Sequence, residues 1–308
     1  MTDFAFGQRA IQLAAFGRSD PGLQRTENQD DFLVADLSAP DGDGCLLRPE
    51  GWLDGAFNVR SFALGPKGAL VLVADGMGGA AAGALASRLA ATWIHQELSA
   101  SWGAERSLTP QRFATALRDA LVHANHRIHD QALHNPDFRG MGTTATAVGV
   151  LEDFLYLAQV GDSRAYLVRD GDAIQLTRDQ SMVQAMIDAG TITEEQAESS
   201  GHRSVILQAL GAAPDVRVDL TYQEIRRGDV VVLCSDGLSR VVKREEIADA
   251  MRGADDLASG CDALVGLANE RGGPDNITVV AVRFEGEGLS DPGNGDAVGR
   301  NVFPLSGP

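Results

Sequence analysis

The stretch Ala69-Leu70-Val71-Leu72-Val73-Ala74-Asp75-Gly76-Met77-Gly78-Gly79 reads as a buried strand that stops at a carboxylate. Its apolar run, Ala69 to Ala74, has no polar face, so both sides of the strand must be covered. The glycines after Asp75 allow close backbone approach before a helix that runs to about Ser101. Leu85, Leu89 and Trp93 recur at four-residue spacing and mark that helix's buried face. A phosphate cradle is the poorer reading of these glycines. Asp75 would repel a bare phosphate, and no P-loop lysine follows.

Working outward, other strands end in the same way. Val160-Gly161-Asp162-Ser163 and Cys234-Ser235-Asp236-Gly237 each close an apolar run with an aspartate, and Pro274-Asp275-Asn276 precedes one. A single Asp-Gly is an ordinary turn. Four aspartates at strand ends can converge on one sheet edge, where their repulsion needs cations. All-oxygen clusters of this kind suit hard divalent ions such as Mg²⁺ or Mn²⁺. Four histidines in one helical stretch, His123, His126, His129 and His134, lack the paired ligands of a zinc site and read as a solvated face.

The remaining pattern fixes the fold class. Strands are predicted at Ala10–Phe16, Asp31–Ala35, Thr143–Leu151, Phe154–Val160, Arg164–Val168, Ala173–Leu176, Val216–Leu220, Val230–Ser235 and Ile277–Phe284. Asp170-Gly171 is the strongest hairpin signal. Thr109-Pro110 opens a helix that runs to about His134. Ser181 to Ala189 is helical, and Thr193 with Gln196 forms a capping box. Helices follow at Glu245–Met251 and Asp255–Arg271. Strands cluster in hairpin groups with helix pairs between them, so the expectation is an α+β fold of antiparallel sheets with helices outside, not a parallel Rossmann sheet.

Composition narrows the function. The 308 residues carry 26 Lys and Arg against 43 Asp and Glu, a net charge of −17. This excludes a sequence-independent grip on nucleic acid and disfavours an anionic membrane surface. A protein so acidic must concentrate positive charge locally to handle phosphate. Cys45, Cys234 and Cys261 show no disulfide or zinc spacing. No signal peptide or membrane span is visible, which implies a cytoplasmic location.

The ordered set of motifs resembles the metal-dependent Ser/Thr protein phosphatases of the type 2C class, in their bacterial form. It comprises Ser19-Asp20-Pro21-Gly22 with Arg25 and Asn28-Gln29-Asp30, Val73 to Gly79, Met141-Gly142-Thr143-Thr144 and Gly161-Asp162-Ser163-Arg164. It continues with Leu176 to Ser181, Arg203-Ser204-Val205, Ala209-Leu210-Gly211, Ser235-Asp236-Gly237-Leu238 and Asp275-Asn276-Ile277-Thr278. The resemblance implies an α-β-β-α sandwich with two or three Mn²⁺ or Mg²⁺ ions. Asp75 would bridge two metals and the Gly76 carbonyl would bind one. Asp236 and Asp275 would complete the second, Asp162 would serve a third, weaker ion, and Asp30 and Gln29 would hold metal-bound waters. Arg25 would bind the substrate phosphate as a bidentate fork. Gln29 stands where many members carry Glu, and Met77 stands where eukaryotic members carry His, so no general acid is assigned.

The implied activity is hydrolysis of phosphoserine and phosphothreonine on proteins, with a bacterial Ser/Thr kinase and its targets as partners. A phosphoprotein-binding pseudophosphatase would be favoured by lost metal aspartates, yet Asp75, Asp236 and Asp275 are present. A dedicated regulatory phosphatase of a sigma-factor pathway would usually carry sensor domains. The expected organisation is a catalytic domain at 1–285 with an insertion loop at 39–67, in which a short hairpin could sit, and a flap-like segment at 182–205. The tail at 286–308 is expected to be disordered, having little to bury.

Overall fold

The computed structural model describes residues 10–39, 44–49, 59–293 and 296–304. In chain order the elements begin β1 Gln12–Asp20, β2 Asp30–Asp36, β3 Cys45–Leu47, β4 Arg60–Ala63 and β5 Ala69–Met77, then α1 Ala80–Gly103 and α2 Pro110–His134. Next come β6 Gly142–Thr143, β7 Ala145–Leu151, β8 Phe154–Val160, β9 Arg164–Arg169 and β10 Asp172–Gln175, then α3 Met182–Asp188 and α4 Glu194–Glu198. The chain finishes with β11 Asp219–Glu224, β12 Val230–Cys234, α5 Asp236–Ser239, α6 Arg244–Gly253, α7 Leu257–Glu270, β13 Ile277–Glu285 and β14 Asn301–Val302.

Two antiparallel sheets face each other, one ordered β10-β9-β12-β13-β1-β4 and the other β14-β11-β8-β7-β5-β2-β3, with β6 paired to β5. The period-two alternation of each strand divides its side chains between two cores. In β5, Leu70, Leu72 and Ala74 face α1 and α2, while Ala69, Val71 and Val73 face the opposite sheet. In β13, Val280, Val282 and Phe284 share that central layer, and Ile277, Val279 and Ala281 pack beneath α6 and α7. The α-β-β-α sandwich expected from the resemblance is therefore present. Its continuous apolar strands are continuous because both faces are covered.

Local chemistry sets the boundaries. Thr109 accepts a hydrogen bond from Arg112 N at the head of α2, with Pro110 in the first turn. Thr193 and Gln196 form the predicted capping box of α4. Asp170 and Gly171 take φ of 52° and 90°, the left-handed pair that a tight hairpin between β9 and β10 requires. No helix among the described residues is long and apolar enough to cross a membrane.

Three expectations need correction. The 39–67 insertion holds no hairpin among its described residues: β3 pairs with β2 in one sheet and β4 pairs with β1 in the other. Its residues 40–43 and 50–58 lie outside the described residues. The strand expected at Val216 begins at Asp219 instead; Val216 and Val218 pack on the helix-side core without pairing.

The third correction concerns the tail, which packs over its described part. Leu289 is buried in the central layer, β14 pairs with β11, and Asp296 binds Arg226 at 2.7 Å. Phe303 is buried, with its ring edge-on to Tyr156 and Tyr222 at 5.7 and 5.8 Å. A few apolar residues, buried in the two cores, order a segment whose average composition is polar. Residues 294–295 and 305–308 lie outside the described residues.

Phe303→Ala should therefore destabilise the protein by about 3 kcal/mol, the low end for an aromatic truncation, because its segment joins the sheet through the two-residue β14. Urea unfolding measures this, and a loss below about 0.5 kcal/mol, the range of ordinary surface changes, would show that the tail adds nothing.

Candidate active site

The site lies where the ends of β1, β2, β5, β12 and β13 meet. Asp30 at the start of β2 stands opposite Asp75 in the β2–β5 register. Asp236 opens α5 directly after β12, and Asp275 lies just before β13. Asp162 sits in the turn between β8 and β9. Backbone approach is very close here. A Cβ on Gly76 would lie 2.1 Å from Gly83 O, and one on Gly237 would lie 2.0 Å from Asn276 O. Both positions are closed to any larger residue.

Neutral groups fix the carboxylates in place. Thr143 and Thr144 hold the Asp75 backbone: Thr143 Oγ1 donates to Asp75 O at 2.9 Å, and Asp75 N donates to Thr144 Oγ1 at 3.0 Å. The Asn276 side chain donates to Pro21 O and Glu27 O and accepts from Gln29 N, pinning the loop that carries Arg25. Gln180 anchors the Asp162 turn, accepting from Gly161 N at 2.9 Å. Sequence reasoning quoted Asn276 and Gln180 inside motifs but gave them no role.

The electrostatics are those of crowded acids. Burial pushes Asp30 up to about 7, and the neighbouring Asp236 and Asp275 add to the rise. Both Asp30 carboxylate oxygens are buried without a hydrogen-bond partner among the described residues. The Ser235 and Thr278 hydroxyls moderate its rise but lie outside hydrogen-bond geometry. Asp162 is pushed up to about 7, first by burial and then by Asp236 and Asp179. Asp75 is raised well above the carboxylate range by burial, then by Asp236, Asp30, Asp162 and Asp275. Asp236 is raised by burial, an effect that Arg240 opposes.

Arg25 and Arg240 carry positive charge into the cluster, and Arg164, paired with Asp179, opposes the rise of Asp162 and Asp236. Arg25 Nη2 donates to Asp275 Oδ2 at 2.9 Å, and the Arg25 side chain is 51% exposed. Arg240 pairs with Asp236 and lies 3.7 Å from Asp162 Oδ2. Arg240 was missed from sequence, although its four-residue spacing from Asp236 was a usable signal. With the arginines so placed, no three His, Cys, Asp or Glu side chains among the described residues close round a single point as a ligand set. The structure thus brings Asp30, Asp75, Asp162, Asp236 and Asp275 into one electrostatic cluster, not into closed coordination. The donor set still fits hard divalent ions. It is all oxygen, it is largely buried, and it includes an Asp30 carboxylate whose oxygens have no hydrogen-bond partner among the described residues.

Gln29 is placed differently from a residue that only orders a water. Its Nε2 donates to Gly79 O at 2.7 Å, and its backbone carbonyl accepts from Gly76 N. It ties the glycine-rich turn to β2. An amide can make the first of these bonds and a carboxylate cannot, because two acceptors repel. Met77 ends β5, its side chain close to Gly142.

The raised carboxylates set a direction with pH. Asp30 and Asp162 hold protons up to about 7 in the fold, against about 3.9 in an unfolded chain. The folded state therefore binds more protons in that window, and its stability is full below the lower value and lost as pH rises through 7. For EDTA-treated protein, Tm should fall by several degrees from about pH 5.5 to about pH 8, while added Mn²⁺, which needs the ionised carboxylates, should stabilise more at the higher pH. A metal-free Tm that rises across this window would contradict uncompensated burial of these acids.

Comparison with known proteins agrees with this geometry. Residues 57–274 match the family described as Protein phosphatase 2C. The serine/threonine protein phosphatase PstP of Mycobacterium tuberculosis is 43% identical over 213 residues, covering 68% of this chain but only 39% of that longer protein. Serine/threonine phosphatase stp of Listeria monocytogenes is 36% identical over 214 residues, 69% of this chain and 83% of that protein. The crystal structure of the PstP catalytic domain in complex with two manganese ions superposes with a TM-score of 0.68 at 34% identity, covering 89% of this chain and 99% of that one. On the length of the family match and the ordered motifs at the shared strand ends, this chain belongs to the protein phosphatase 2C family.

Proposed function

We infer that the chain is a metal-dependent protein phosphatase that hydrolyses phosphoserine and phosphothreonine on proteins. The observation that carries the reading is the carboxylate cluster in which Asp30, Asp162 and Asp236 are buried and Asp75 is partly buried, beside a half-exposed Arg25 at the mouth of the same strand ends. Asp75, the Gly76 carbonyl, Asp236 and Asp275 would hold two Mn²⁺ or Mg²⁺ ions, with Asp30 and Gln29 beside them and Asp162 serving a third. When bound, such ions generate a nucleophile from water at neutral pH and neutralise charge on a phosphoryl group.

The chain's own residues do the rest. Asp75 is fixed from behind by Thr143 and Thr144, so its position does not depend on what it binds. Arg25, at the middle of the β1–β2 loop that Asn276 pins, offers a planar fork to two phosphate oxygens. Binding substrate in this way means leaving Asp275, its present partner. Met77 cannot donate a proton, so the departing serine or threonine oxygen must take one from water or another group.

The phosphoprotein partners include a bacterial Ser/Thr kinase and its targets in this reading. A cytoplasmic location accords with three cysteines that are all free thiols. The binding-only alternative has no support in the site, where every expected carboxylate is present.

Two variants test the assignment. Asp75→Asn should lower turnover of a phosphothreonine peptide by more than about a hundredfold with the fold intact, because an amide cannot neutralise two cations. Activity above that level would remove Asp75 from the centre. Asp162→Ala should keep the two tighter ions, counted by calorimetry, yet lower kcat on the phosphopeptide more than on an aryl phosphate, whose phenolate leaves unprotonated. Equal losses on both substrates would end the leaving-group role.

A further inference from the structure

Beside the carboxylate cluster lies a cavity of about 370 Å³. Arg25, Arg203, Arg240, Ser200, Ser204 and Asp275 contribute to its wall. A water's share of liquid volume is about 30 Å³, so the space exceeds what one phosphoryl group displaces. Its lining carries three guanidinium groups and one carboxylate, in a chain whose net charge is −17. Positive charge concentrated this way against an acidic background is a local anion trap.

The three arginines are not equivalent. Arg25 is paired with Asp275, and Arg240 with Asp236. Arg203 Nη2 donates to the Arg240 carbonyl at 3.0 Å, which orients the guanidinium without neutralising it. No carboxylate among the described residues forms an ion pair with Arg203. It is half-buried, with the Ser200 and Ser204 side chains on the same wall. A partly desolvated cation held in place by a neutral acceptor is poised for an external anion, and Arg25 is already the fork for the scissile phosphate.

We propose that Arg203 forms a second anion subsite beside the phosphate site, so that the enzyme prefers peptides carrying another negative group near the phosphorylated residue. That group is an acidic side chain or a second phosphate. An extended chain advances about 3.3 Å per residue, and a cavity of this size therefore places the second anion roughly two or three residues away. The proposal rests on the phosphatase reading and adds to it a substrate class.

The test uses Mn²⁺-loaded protein and three phosphothreonine peptides that differ only at the third residue from the phosphothreonine: Ala, Asp or a second phosphothreonine. Wild type should favour both charged peptides over the Ala peptide by about tenfold in kcat/KM, chiefly through KM. Arg203→Gln should bring the ratio to within about twofold. Arg203→Lys should keep more of the preference for Asp than for phosphothreonine, because an ammonium is not a bidentate fork. Fluorescence anisotropy of the same peptides in EDTA, where nothing turns over, reads the subsite separately. Charged-to-neutral affinity ratios near one for wild type would overturn it, and so would an Arg203→Gln enzyme weakened equally toward all three peptides. Failure to hydrolyse the Ala peptide with Mn²⁺ would instead strike the phosphatase reading, while an anisotropy ratio lost in Arg203→Gln would still support the subsite.

Discussion

The structure turns on one electrostatic constraint: several carboxylates are packed at a shared end of two sheets with too little positive charge nearby. Each is held there by something other than charge. Register places Asp30 against Asp75, threonine hydroxyls grip the Asp75 backbone, and Gly76 N donates to the Gln29 carbonyl, tying the end of β5 to the start of β2. The repulsion therefore cannot relax by movement. It is answered by protons, by Arg25 and Arg240, or by divalent ions, and these compete for the same oxygens. Charge balance thus links metal binding to the freedom of Arg25 and Arg240, two of the three arginines that line the cavity.

Much of this was legible in the sequence because the signals were local. A strand with no polar face must lie between two covered layers, and Ala69 to Ala74 does. Asp170-Gly171 makes a tight turn because two left-handed residues are needed there. The aspartates could be read as convergent because each ended an apolar strand. Arg240 and Asn276 were harder. Their roles depend on which loops the fold brings together, and Asn276 joins residues about 250 positions apart. Gln29 looked like a weakened Glu, yet its amide does what a carboxylate cannot, donating to the Gly79 carbonyl.

The segments misread as loop and tail share a physical explanation. A sheet edge exposes unpaired backbone donors and acceptors, and native proteins cover edges with short strands. The two sheets here have edges at β10, β4, β14 and β3. Three of these four come from the 39–67 insertion and the tail. Their strands are Cys45–Leu47, Arg60–Ala63 and Asn301–Val302. Strands this short carry almost no hydrophobic period, so composition makes them look irregular. Their order comes from the sheet they complete, together with a few anchors such as Leu289 and Phe303.

That arrangement separates two tasks along the width of each sheet. The carboxylates and their supports are built on central strands β1, β2, β5, β12 and β13, buried on both faces and paired on both sides. The edges carry the segments with the least internal pattern. A change in an edge strand alters a few backbone hydrogen bonds and a local contact. A change in a central strand shifts the spacing between Asp30, Asp75 and the start of α5, on which the balance of charge depends. Sequence freedom and chemical constraint are therefore distributed by strand position, and the strand ends that meet in the middle are the ones where no residue type is interchangeable.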